Sequence, residues 1–122
     1  AFRAAIGNPH IRAIATFAPV TDLIALSEFA GQEENPLVKK LALINSVELL
    51  DDRNVWIYIG DSDERVSTKK AITFAEALNK TKQVKEVESK NVFRLFRTSG
   101  HESFGEWHED AAVWLQKVMI ED

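Results

Sequence analysis

Cysteine is absent from the 122 residues, which removes disulfides, thiolate nucleophiles and cysteine-based zinc sites. That composition fits a cytoplasmic protein, and a cytoplasmic location is the expectation. Long apolar runs are missing too. Nothing approaches the roughly 18 residues needed to span a bilayer, and no signal peptide is visible, so no membrane association is expected. Only five glycines occur, scattered singly, so no glycine-rich loop is available to cradle a phosphate, and nucleotide binding has no support. Basic clusters are scarce as well. The net charge is -4 and the longest basic runs are pairs such as Lys39-Lys40 and Lys69-Lys70, a pattern of solvated helix faces rather than a nucleic-acid surface.

Metal ligation has little to work with. HESFGEWHED carries His101 and His108 seven residues apart, not the spacing of four that puts two ligands on one helix face. In DSDER, Arg65 stands where a calcium loop would need an oxygen donor. No metal and no cofactor are expected.

The residues that are present form an ordinary globular composition, 45% hydrophobic and 28% charged, sized for one domain over residues 1–122. Three segments read as strands: IRAIATFAPV (11–20), NVWIYIG (54–60) and NVFRLFRTSG (91–100). Between them lie helical patterns. Leu37, Leu41 and Ile44 form one stripe, and a second short helix is expected around Ser46 to Leu50. Ala71, Phe74, Ala75 and Leu78 recur at the spacing of a helix burying one face, with Ser67 and Thr68 as candidate N-caps. Trp107, Ala111, Trp114, Leu115 and Val118 repeat the pattern near the C-terminus. This order predicts an α/β fold, a three-stranded parallel sheet flanked by helices. Right-handed crossovers put the two intervening helical layers on one face and the last helix on the other. EFAGQEENP (28–36) is the most polar stretch, and 25–50 is a candidate cap- or lid-like segment.

Two features of the first residues belong together. AFRAAIGNP reads as the end of a helix: Phe2, Ala5 and Ile6 share a stripe, Gly7-Asn8-Pro9 stops it, and no capping residue precedes Phe2. The first strand has almost no polar face, as a strand buried on both sides would, yet only one later strand pairs naturally beside it. An open apolar edge invites pairing. The expectation is either further sequence upstream that supplies a neighbouring strand, or a homo-oligomer formed through that edge.

In parallel α/β sheets, ligands gather beyond the carboxyl ends of the strands. Asp22, Asp61, Asp63 and His101 all fall just past predicted strand ends. A carboxylate and an imidazole on adjacent strand-end loops can hydrogen-bond through Nδ1–H, which fixes the tautomer and stabilises the imidazolium. Asp63 and His101 are the candidate pair, with Asp61 as the alternative acid and Glu64 a solvated neighbour. Asp22 reads as a turn residue that borders the same crevice. His10 and His108 read as surface residues; Trp56, Trp107 and Trp114 read as core. Ser62, Ser99 and Ser103 have no nucleophile context.

Gly60-Asp61-Ser62-Asp63-Glu64-Arg65-Val66 resembles the acid loop G-x-x-D-x-x-V of α/β-hydrolases, closest to the dienelactone-hydrolase and prolyl-oligopeptidase-like branches. Gly100-His101 resembles their histidine loop, and FRAAIGNPHIRAIATFAPVTDL the stretch after the nucleophile elbow. The resemblance spans the chain as the C-terminal half of that fold. It implies Asp63 as orienting acid and His101 as general base, with a nucleophilic serine, in G-x-S-x-G, lying before Ala1. The implied reaction is acyl transfer to water on a small ester or amide substrate, carboxylesterase-like rather than peptidase-like, with this chain alone inactive. The rival from another class is a non-catalytic interaction module that dimerises or binds a partner through the first strand.

Overall fold

The computed structural model describes residues 1–22, 26–97 and 107–121. NVWIYIG forms β2 (Asn54–Gly60) over its whole predicted length, because a β-branched and aromatic run of this kind suits a strand covered on both faces. It lies at the centre of the sheet. On one side it pairs in parallel with β1 (Ala13–Phe17), setting Ala15 beside Trp56 and Phe17 beside Tyr58. On the other it pairs in parallel with β3 (Val92–Phe96), setting Ile57 beside Phe93 and Tyr58 beside Arg94. The strand order is β1-β2-β3, and the three-stranded parallel sheet agrees with the sequence expectation.

Helix α1 (Phe2–Gly7) precedes β1, and its first turn has no side-chain cap. A 3-10 turn (Ser27–Phe29), helix α2 (Pro36–Leu41) and a kinked 3-10 segment (Leu43–Leu50) connect β1 to β2. Helix α3 (Thr68–Val84) connects β2 to β3, and α4 (Trp107–Glu121) closes the described chain.

The two faces of the sheet are covered by different elements. Ile14, Val55 and Ile57 point to one face and join Phe2 and Ala5 of α1, Leu43 and Leu50, and Phe74 and Leu78 of α3 in a single core cluster. Phe2 and Phe74 meet edge to face at 5.3 Å. Full burial of side chains this size contributes about 1.5–3 kcal/mol each, so this cluster is a major source of apolar stabilisation among the described residues. Trp56 and Phe17 point to the opposite face, where the Trp107 ring at the start of α4 stacks on Phe17 at 5.2 Å and lies 6.5 Å from Trp56. Ala111 and Val118 of α4 are buried below it. Both crossover layers thus lie on one face and the last helix on the other.

The expected stripe in the first crossover needs correction. Leu37 and Leu41 are 61% and 44% exposed, and the buried residue of α2 is Val38. The helical period does not run through to Ile44 because Ala42 is extended (φ -68, ψ 118), and Leu43 restarts the chain as 3-10. Leu43 and Leu50 then pack on the sheet.

The ends of α3 are both built from local hydrogen bonds. Ser67 Oγ accepts from the Lys70 amide, making it the expected N-cap. At the other end Val87 N donates to Lys82 O at 2.9 Å and Glu86 N to Gln83 O at 3.1 Å, a Schellman motif with Glu86 at φ 55 in the position that glycine usually fills.

Candidate functional site

Beyond the end of β2 the backbone stays tied to the sheet for one more residue, as Asp61 N donates to Phe96 O at 2.8 Å. The chain then turns through Asp61–Ser67 into α3. Val66 is buried against Ile59, Ala71 and Ala18, so an apolar plug holds down the far side of the loop. Between these anchors Asp63 folds inward and is 3% exposed. Its Oδ1 accepts the amide hydrogens of Arg65 at 3.0 Å and Val66 at 3.1 Å. A carboxylate taken out of water needs such donors. Asp63 is therefore built into the loop and is not a solvated turn acid.

Its neighbours behave differently. Asp61 and Glu64 are exposed, and Ser62, also exposed, donates its hydroxyl to Asp61 Oδ1 at 3.3 Å. Arg65 reaches Glu28 of the 3-10 turn at 2.8 Å. That hydrogen bond holds the Glu28 carboxyl below the usual glutamate range, and Glu28 correspondingly raises Arg65. Asp22, past the end of β1, lies 3.4 Å from Lys70 Nζ in the first turn of α3, and the adjacent Thr21 hydroxyl donates to Lys70 O. The loops after β1 and β2 are thus laced together at the carboxyl end of the sheet, where Asp22, Asp61 and Asp63 were expected to gather.

His101, Ser99 and Ser103 lie outside the described residues. His10 and His108 are exposed; the His108 ring meets Trp107 edge to face at 5.8 Å. Trp56 is buried, and Trp114 is half-buried with its Nε1–H donated to Lys90 O. Among the described residues no group of three or more His, Asp or Glu is arranged to hold a metal ion, and no helix is long and apolar enough to cross a membrane.

Two features near the site were not legible beforehand. Thr68 is buried, and its Oγ1 lies 2.6 Å from Gly60 O and 3.0 Å from Asp63 N; the sequence marks it only as a possible cap. The second is an aromatic floor on the α4 side. Tyr58 stacks on Phe96 at 4.6 Å and on Trp56 at 5.3 Å, and Phe17 lies 5.9 Å from Phe96. Period-2 alternation in β2 carries the signal for Trp56 and Tyr58 on one face, but pairing with Phe96 requires the register.

The outer edge of β1 has no strand partner among the described residues. A cavity of about 370 Å³ runs beside it, lined by Phe2, Ala15, Thr16, Phe17, Pro19 and Leu43 among others.

A three-stranded parallel sheet with helices on both faces is consistent with part of an α/β-hydrolase fold. No known family and no curated protein matches the sequence. Among solved structures the chain superposes, with a TM-score of 0.71, on a protein of Bacteroides ovatus ATCC 8483 provisionally named a dipeptidyl aminopeptidase IV. The two are 18% identical over 93% of this chain, which spans 17% of that protein's length. The likeness is one of fold.

Proposed function

We propose that this chain is the C-terminal part of a serine hydrolase, with Asp63 as the orienting acid and His101 as the general base. The nucleophilic serine would sit on a strand that pairs along the outer edge of β1. The observation that carries this reading is the Asp63 carboxylate, buried at the carboxyl end of β2 with Oδ1 fixed by two backbone amides. The outer edge of β1, unpaired among the described residues, supports it, since an apolar strand at a sheet edge is a template for pairing with a further strand.

The chemistry is acyl transfer to water. The serine Oγ attacks the carbonyl carbon of an ester or amide as its proton passes to His101. Collapse of the tetrahedral intermediate breaks the bond to the leaving group, which takes that proton. Water then attacks the acyl-enzyme by the same route, releasing the acid and restoring the serine. Asp63 holds the imidazole tautomer and stabilises the imidazolium without itself taking the proton. A small ester is the substrate favoured by the sequence resemblance; the name of the structural neighbour favours a peptide amide.

The test uses the protein together with whatever coding sequence precedes Ala1. A G-x-S-x-G following an apolar strand, and turnover of p-nitrophenyl acetate or a dipeptidyl p-nitroanilide, are the expected results. Asp63→Asn should lower kcat by roughly four orders of magnitude. Full activity in that variant would sink the reading. The relative rates on the two substrates separate esterase from peptidase.

The open β1 edge and the cavity beside it also support a second reading, an interaction module that pairs with another chain there. Sedimentation decides it. A dimer that dissociates on replacing Ala15 by Pro, with no upstream serine motif, would favour the module.

A further inference from the structure

The loop that carries Asp63 is closed by one hydroxyl. Thr68 Oγ1 has a single proton to give, and at 2.6 Å from Gly60 O against 3.5 Å from Asp63 O it goes to Gly60. The same oxygen accepts the amide hydrogen of Asp63 at 3.0 Å. Thr68 N returns a third bond, to Asp63 O at 3.0 Å. The last residue of β2 and the backbone of the acid are therefore pinned to one side chain, which is 9% exposed at the first position of α3.

We propose that Thr68 is a positioning residue, whose hydroxyl clamps the acid loop and holds the Asp63 carboxylate in one orientation. This rests on the hydrolase reading of Asp63. Among the side-chain contacts nearby are two ion pairs on the surface, Arg65 with Glu28 and Lys70 with the partly exposed Asp22. Such pairs are held weakly against solvent and salt. A buried hydroxyl that donates and accepts at once is held by geometry. It fixes the Asp63 main chain, and the two amides on Oδ1 then fix the side chain. A strand end and the first turn of a helix are the two stiffest elements nearby, so tying the acid to both transfers their rigidity to the carboxylate.

The test is nuclear magnetic resonance of the protein and three variants. Thr68→Val keeps the shape and removes donor and acceptor; Thr68→Ser keeps both. In Thr68→Val the three-bond couplings that report the Asp63 χ1 angle should change from a single rotamer to an average, and the Asp63 amide should exchange about tenfold faster. Thr68→Ser should restore both. A merely structural role for Thr68 would lower thermal stability and leave the χ1 couplings single. That outcome overturns the proposal. If Thr68→Val does not fold, the unmodified protein decides: a slowly exchanging Thr68 hydroxyl proton close to the Asp63 amide supports the clamp, and a hydroxyl in fast exchange with water refutes it. Asp63→Asn is the separate arm for the hydrolase reading, where the downfield Nδ1–H resonance of His101 should be lost. An unchanged His101 resonance there sinks that reading whatever the Thr68 variants show. Its loss, alongside unchanged Asp63 couplings in Thr68→Val, sinks only the clamp.

Discussion

Arg53 and Ala5 are 48 residues apart, and the Arg53 guanidinium donates to the Ala5 carbonyl at 2.9 Å. The same side chain donates through Nε to Ile11 O at 2.7 Å and through Nη2 to Asn8 O at 3.4 Å, and it pairs with Asp52. It therefore satisfies carbonyls at the end of α1 and fixes the entry to β1, from a position 5% exposed. Replacing it by Met removes the donor to Ile11 O and the second donors to the Ala5 and Asn8 carbonyls, which keep the amides of Asn8 and Ile11, and a loss of about 1–3 kcal/mol is expected. Urea unfolding should show the midpoint falling with an unchanged slope. Arg53→Lys should recover only part, because an ammonium lacks the fork that reaches three carbonyls.

Lys82 gives a pH dependence with a definite sign. It is 1% exposed, and its Nζ donates to Asn54 Oδ1 at 3.2 Å and Asn91 Oδ1 at 3.1 Å. Burial pushes the amine below its ordinary value of 10.5, opposed by the charges of Asp51 and Asp52. Between the lowered folded value and 10.5 the unfolded chain binds more protons, so this group makes stability rise with pH across that window. Urea unfolding at several alkaline pH values should show that rise, and Lys82→Met should abolish it. Lys85 acts in the opposite sense and at higher pH, since Asp51 raises it above 10.5.

Glu86 is a glutamate where the backbone asks for glycine. With φ at 55 it closes the Schellman motif at the end of α3. Glu86→Gly should stabilise the protein by about 0.5–1 kcal/mol, because the left-handed conformation costs glycine nothing. Thermal unfolding checks this, with Glu86→Ala as the control that should show no gain.

The ion pair between Glu28 and Arg65 should be visible in a carboxyl titration. Glu28 should titrate below 4.5 and return toward it in Arg65→Met or at high salt. Because the folded value is lowered, whatever stability the pair contributes is present above pH 4.5 and is lost as pH falls through the folded value.

How much of this could be read beforehand depends on the range of the interactions. β2 and the buried stripe of α3 follow from neighbouring side chains, and so does the Ser67 cap; each was legible from local pattern. The placement of Asp63 just past the end of β2 was legible because the strand before it is; its burial on two backbone amides was not. The stripe of Leu37, Leu41 and Ile44 differs from the structure because α2 buries Val38 instead, and because the extended Ala42 breaks the helical period before Ile44 without any glycine or proline to mark it. Arg53 was hidden because its partners lie up to 48 residues away. Glu86 was hidden because its residue type argues against its conformation. The Thr68 hydroxyl reads from the sequence only as a candidate cap beside Ser67, because its partners Gly60 O and Asp63 N are reached only once the loop has folded.

The aromatic floor has one more consequence. Trp56 belongs to the central strand and Trp107 to the last helix, yet their rings lie 6.5 Å apart, with Phe17 stacked against Trp107 and Tyr58 against Trp56. The seating of α4 on the sheet is thereby written into the molecule's own fluorescence and near-ultraviolet circular dichroism. A partial opening in which that helix lifts away would dim or shift those signals while the amide signal of the sheet stays in place, so the protein carries a built-in optical reporter for the seating of its C-terminal helix.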